Sequence, residues 1–170
     1  MLILASQSAA RRALLEAAGV PFTAQAAGVD EESAKAALLA QGLDGRQLAD
    51  ALAELKALKL SQRHPQALVL GCDSTVVAAD GTVIDKAATR AASEAQLRAL
   101  AGTTHRLHSA AVVAQNGAPI WRHVDTARLT MRGFGDAFLS DYLDAEWPAI
   151  GGCVGAFRIE GPGVQLFDAV

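Results

Sequence analysis

The run Met1-Leu2-Ile3-Leu4-Ala5-Ser6-Gln7-Ser8-Ala9-Ala10-Arg11-Arg12-Ala13-Leu14-Leu15-Glu16-Ala17-Ala18-Gly19-Val20 decides how the chain is read. Leu2 to Ala5 is a short apolar run, the pattern of a buried strand, and Arg11 to Ala18 places leucines and alanines at helical spacing before Gly19 stops the helix. Ser6 and Ser8 stand where the strand hands over to the helix. Such a junction leaves backbone N–H groups unpaired and sets the positive end of a helix dipole at the edge of a sheet. It suits a phosphate, and Arg11 one turn in can add a charged fork. The same residues also fit a plainer arrangement, with Ser8 capping the helix and Arg11 and Arg12 on its wet side. Taken alone, the segment does not choose between the two.

The chain has 170 residues, enough for one well-packed core and short for two independent domains. Half of it is apolar (51%) but only 5% is aromatic, so the core is built from Ala, Leu and Val, which suits helices stacked on a sheet. The net charge of −3 argues against bulk electrostatic binding of nucleic acid and leaves room for a local cationic pocket. No apolar run approaches the roughly 20 residues that cross a bilayer. The N-terminus lacks the pattern of a secretory signal, so a cytoplasmic location is expected. Cys72 and Cys153 lie beside glycines in apolar context and read as small buried residues. His105 and His108 are three apart in an expected strand and point to opposite faces, so a zinc site is not expected.

Further along, Phe22 to Gly28 reads as extended, and Val29-Asp30-Glu31-Glu32 opens a helix to about Gln41. A longer helix spans about Arg46 to Arg63, with Leu48, Leu52, Leu55 and Leu58 as its apolar stripe. Ala67 to Cys72 is the best candidate for a buried strand and ends at Asp73. Asp80-Gly81 and Asn116-Gly117 are hairpin signals between runs of strand character, the second joining Leu107–Gln115 to Ile120–Met131. Ala91 to Ala101 and Ala137 to Ala145 read as helices. Hairpins and crossovers together predict an α/β sandwich on a mixed sheet, not a doubly wound parallel one.

Among residues able to do chemistry, Asp73 comes first, because the C-terminal end of a buried strand is where open α/β sheets bind ligands. Its alternative is an Asp that opens a turn. Glu31 is a second candidate, although acids at a helix start also satisfy the dipole. Lys56 falls on the flank of the leucine stripe and Lys59 nearer its middle; lysines there either snorkel along the core edge or reach into a cleft to meet a phosphate. Lys86 follows a hairpin strand, where a solvated loop lysine is the ordinary reading.

The motif Ser6-x-Ser8-x-x-Arg11 after an N-terminal strand resembles the signature of the Maf family of nucleoside triphosphate pyrophosphatases. Other landmarks follow in register: Asp30-Glu31, Leu52-Ala53-Glu54-Leu55-Lys56-Ala57, Gly71-Cys72-Asp73, Asp85-Lys86-Ala87, Leu100-Ala101-Gly102-Thr103-Thr104-His105 and Met131-Arg132. The similarity covers nearly the whole chain. It implies one domain over residues 1–170, of Maf or inosine-triphosphatase-like type with a central nucleotide cleft, lacking the family's C-terminal strand and helix. It implies hydrolysis of a nucleoside triphosphate to monophosphate and pyrophosphate with Mg²⁺ or Mn²⁺, in an enzyme that clears modified nucleotides. Ser6, Ser8 and Arg11 carry over as phosphate-binding, Lys56 and Lys86 as cations on the triphosphate, and Glu31 and Asp73 as the acidic, metal-binding pair, with Asp73 taking the proton from water. Family members are often homodimers and are linked to septum formation, so the rival reading is a nucleotide-binding regulator of cell division with weak catalysis. Ala9 and Ala10 stand where the family commonly has Pro and a further basic residue, and Ser74 where Thr or Gln is common. Gly152-Cys153 and Arg158-Ile159-Glu160-Gly161 resemble the branch acting on 7-methyl-GTP more than the branch acting on dTTP and UTP.

Overall fold

In the computed structural model, which describes residues 1–170, the apolar run at the N-terminus forms strand β1 (Leu2–Ala5), with Ile3, Leu4 and Ala5 all buried. Ser8 then caps α1 (Ala9–Ala17), and Gly19 turns the chain at φ +67°, a backbone region that glycine enters without a Cβ penalty. There follow β2 (Thr23–Ala24), α2 (Glu31–Ala40), α3 (Gly45–Ser61), β3 (Leu68–Val77), β4 (Val83–Ile84), α4 (Arg90–Leu100), β5 (Thr104–Gln115), β6 (Ala118–Met131), α5 (Asp136–Glu146) and β7 (Phe167–Ala169). Two short 3-10 turns, Ala149–Gly152 and Pro162–Leu166, lie between the last two.

The seven strands make one mixed sheet in the order β2-β1-β3-β5-β6-β7, with β4 on β3. β1 runs parallel to β2 and β3, as strands joined through helices must, while β4 and β7 pair antiparallel with β3 and β6. β5 and β6 are joined by Asn116 (φ +49°) and Gly117 (φ +75°), the two positive φ values that a two-residue hairpin turn needs.

The chain divides into two compact units, residues 1–74 with 109–125, and residues 75–108 with 126–170. In the first, Ile3, Ala5, Ala27, Leu60, Ala67 and Val69 form one buried cluster, and Ala49, Ala53 and Ala57 of α3 pack with Ala110, Val112 and Ala114 in another. In the second, Val76, Leu97, Leu100, Leu129, Met131, Leu139, Leu143, Ile150 and Leu166 are buried together, and Tyr142 donates a 3.2 Å hydrogen bond to the Ala156 carbonyl.

Three expectations are corrected. The extended segment at 22–28 holds a strand of only two residues, and Gly28 at φ +65° then bends the chain toward α2. β3 does not end at Asp73 but runs on to Val77: Thr75, Val76 and Val77 are buried, so the polar pair Asp73-Ser74 interrupts the apolar run without ending the strand. The buried arc of α3 is shifted off the leucine stripe, keeping Leu48 and Leu52 and leaving out Leu55. It comprises Leu48, Ala49, Leu52, Ala53, Lys56, Ala57 and Leu60, while Leu55 is 39% exposed. Alanines let a helix approach a strand closely, and that closeness turns Leu55 outward and brings Lys56 into the middle of the buried face.

Candidate active site

The site begins at a missing side chain. A Cβ on Gly71 would lie 2.1 Å from the Ala53 carbonyl oxygen, 2.7 Å from the Ala57 nitrogen and 2.9 Å from the Ala57 Cβ. The backbone of β3 therefore touches that of α3. Lys56 lies between those alanines on the helix, and Asp73, two residues beyond Gly71, shares its face of the strand. The Lys56 Nζ donates a 2.7 Å hydrogen bond to Asp73 Oδ1 and stands 3.0 Å from Glu31 Oε1. Lys56 and Asp73 are only 5% and 8% exposed, whereas the Glu31 side chain is half in solvent.

Glu31 opens the first turn of α2, which Asp30 caps by accepting from the Ser33 N–H (3.1 Å) and hydroxyl (2.8 Å). Burial pushes the Asp73 carboxyl above its ordinary range, and Glu31 adds to the shift. The Lys56 ammonium, its hydrogen bond and the Arg11 charge pull the other way without cancelling it. A carboxylate whose charge is poorly solvated is a stronger base than one in water.

On the other side, Ser6 and Ser8 organise the turn between β1 and α1. The Ser8 N–H donates to Ser6 Oγ (3.2 Å), and Ser8 Oγ accepts from the Arg11 N–H (3.4 Å), so the capping role of Ser8 is realised. Arg11 itself does not point to water. Its Nη1 donates to the Cys72 carbonyl (2.9 Å) and to Ser6 Oγ (3.3 Å), and its Nη2 to Ser74 Oγ (3.2 Å). The guanidinium thus holds both chain neighbours of Asp73, through the Cys72 carbonyl and the Ser74 hydroxyl.

Lys56, placed on the flank of a stripe by spacing, is central, and Lys59, placed nearer the middle, is only partly buried and donates to the Gly28 carbonyl. Lys86 belongs to the second unit, is exposed, and pairs through its backbone with Val154. Arg158, also in that unit, makes a two-pronged pair with the buried Glu146, at 2.9 Å on both oxygens. The contact of Ser74 with Arg11 is one that spacing did not assign, and Lys59, which spacing offered as a core-edge or cleft lysine, meets a backbone carbonyl. Ser74 could have been found from strand alternation, since it is a hydroxyl beside Asp73 on the opposite face. Burial pushes the Cys72 and Cys153 thiols up, which disfavours the reactive thiolate.

The fold is a mixed α/β sheet in which a buried lysine joins two carboxylates beside a serine-lined strand-to-helix turn. Residues 1–170 match the family model described as Maf-like protein. The chain belongs to the Maf family. It is 50% identical over 169 residues to a nucleoside triphosphate pyrophosphatase of Sphingopyxis alaskensis, covering 99% of this chain and 85% of the relative. It is likewise 50% identical over 167 residues to the one from Caulobacter vibrioides, covering 98% and 83%. It is also similar to a solved structure of a HAM1 protein from Coxiella burnetii, at 16% identity and TM-score 0.49 over 76% of this chain and 72% of that one.

Proposed function

We propose that this chain is a nucleoside triphosphate pyrophosphatase, a hydrolase of acid anhydrides. The carrying observation is the Lys56 ammonium held between Asp73 and Glu31, with Asp73 raised in basicity by burial. The relatives' names supply the substrate class. In the reaction, a water oxygen attacks the α-phosphorus and passes a proton to the Asp73 carboxylate. The bond from the α-phosphorus to the bridging oxygen breaks, and pyrophosphate leaves with its charge held by cations. Lys56 is one such cation. Lys86 is assigned as a second on the family resemblance alone.

Ser6 and Ser8, with the free N–H groups of the first turn of α1, receive phosphate oxygens. Arg11 has three protein acceptors, so its main part is to hold the strand around Asp73 while its remaining donors face phosphate. A divalent cation fits the donor set: Glu31 and Asp73 offer hard carboxylate oxygens already converging on one positive charge, and Mg²⁺ or Mn²⁺ takes one or two carboxylates with phosphate and water oxygens. When bound, the ion supplies neutralisation of the phosphates and acidification of water.

The nucleotide we assign is a modified one of the 7-methyl-GTP type, resting on Cys153 and on Arg158 ahead of Glu160-Gly161, with clearance of modified nucleotides before their incorporation as the cellular role. Because Arg158 is paired with Glu146, its part is to shape that segment. A cytoplasmic homodimer is the assembly this reading expects.

The test is pyrophosphate release across canonical and modified triphosphates, with and without Mg²⁺ or Mn²⁺, in wild type and Asp73→Asn. Turnover that disappears in Asp73→Asn while nucleotide binding persists supports the roles; undiminished release refutes them. Preference for dTTP or UTP overturns the base assignment and leaves the reaction standing.

A further inference from the structure

We infer that Lys59 is a positioning residue for Glu31, acting by pinning the bend that leads into α2. The inference rests on the reaction proposed above. Glu31 is set by little of its own: its side chain is half exposed, so burial does not enforce its place against Lys56. Its place is set by the start of α2 and by the backbone that leads into that helix. That backbone turns at Gly28 with φ +65°, and the Lys59 ammonium donates to the Gly28 carbonyl, three residues ahead of Glu31.

Lys56 and Lys59 are one turn apart on α3 and therefore neighbours on its surface. One reaches the carboxylate of Glu31 and the other the carbonyl of the bend. The same helix thus holds the segment 28–31 at two points. Around the bend, buried Ala27 and partly buried Val29 pack on the apolar cluster of Ile3, Ala5, Leu60, Ala67 and Val69, and Asp30 closes the helix start. Apolar contacts seat the bend without fixing its rotation, whereas a charged donor on one carbonyl is directional. Releasing that donor loosens the bend that sets where α2 begins, and Glu31 with it, and misplacement by about 1 Å lowers turnover by up to about a hundredfold.

The experiment is a double-mutant cycle on full-length protein, following pyrophosphate release in Lys59→Met, Lys59→Arg, Glu31→Gln and Lys59→Met/Glu31→Gln. Lys59→Met keeps the aliphatic stem and the packing of α3. The expected result is a fall in kcat of about tenfold or more with KM changed less than threefold, and recovery to within about threefold in Lys59→Arg. In the Glu31→Gln background the Lys59 change should have little further effect, because the group it positions has lost its charge. If the two penalties multiply, or if Lys59→Met turns over as wild type does, Lys59 does not act through Glu31. If Lys59→Met proves too unstable to assay, Lys59→Gln takes its place in the cycle with the same criteria. A wild-type protein that releases no pyrophosphate from any triphosphate overturns the reaction itself, and this inference with it; additive penalties in an active enzyme overturn the inference alone.

Discussion

Gly71→Ala probes the contact on which the site is built. The new Cβ would lie 2.1 Å from a main-chain carbonyl oxygen and 2.7 Å from a main-chain nitrogen, so no flexible side chain can move aside. Strand and helix must part by about 1 Å, a small-to-large change of the kind that costs about 1–3 kcal/mol, and here the upper end applies because both obstacles are backbone. For a chain of this length about 3 kcal/mol lowers the melting temperature by about 6–12 °C. The same retreat carries Lys56 with α3. Its 2.7 Å hydrogen bond to Asp73 would stretch to about 3.7 Å, outside bonding range, so turnover should fall at least tenfold even where the variant is fully folded. Thermal melts by circular dichroism, followed by pyrophosphate release at a temperature well below the lower midpoint, separate the two effects. Gly133→Ala is the control, since a Cβ there meets nothing within 4 Å. A Gly71→Ala protein that melts and turns over like wild type would refute the close strand–helix contact. One that is destabilised yet fully active would break the link between that contact and the placing of Lys56.

Arg11→Lys keeps the charge but replaces a planar fork with a point donor that cannot reach the Cys72 carbonyl, Ser6 and Ser74 together; kcat should drop about tenfold and the melting temperature should fall by a few degrees as those part-buried hydrogen bonds are lost. Glu146→Gln removes the negative charge facing both prongs of Arg158 and turns one acceptor into an amide donor; since Arg158 is partly solvated, the loss of stability should be about 1–3 kcal/mol, read as a lower urea midpoint. His105 is 1% exposed between Phe157 and Phe167, neither ring nitrogen has a hydrogen-bond partner, and burial holds its imidazole below the ordinary range. As pH falls, the unfolded chain therefore takes up that proton first: stability is full above about pH 6.5 and is lost as the pH drops through it toward the folded value. Urea midpoints between pH 8 and 5 should fall less steeply in His105→Leu than in wild type, and parallel profiles would contradict this.

Much of the architecture is legible in local pattern. The strand and helix at the N-terminus, the two hairpin turns and the mixed sheet follow from short apolar runs, Asp-Gly and Asn-Gly signals and a Gly stop. Which face of α3 is buried was not legible from leucine spacing. A side chain's size decides how near a helix can come, and here the alanines at 53 and 57 opposite Gly71 won over the larger Leu55. That same choice determines which lysine is buried, so Lys56 and Lys59 exchange the places that periodicity assigns them. Asp73 was found as a polar residue closing an apolar run. The extension of its strand to Val77 was not, because two polar residues in sequence look like a strand end although one of them is held by Lys56 and the other by Arg11. Contacts such as Arg11 with Ser74, 63 positions apart, carry no local signature at all.

In the proposed reaction water attacks the α-phosphorus and Asp73 accepts its proton. Hydrolysis of a nucleoside triphosphate in ¹⁸O-labelled water, with products read by mass spectrometry, reports on both steps. Label should enter the nucleoside monophosphate and not the pyrophosphate, and Asp73→Asn should give no labelled product. Label in the pyrophosphate, release of orthophosphate and a nucleoside diphosphate instead, or wild-type labelling by Asp73→Asn would rule this reaction out.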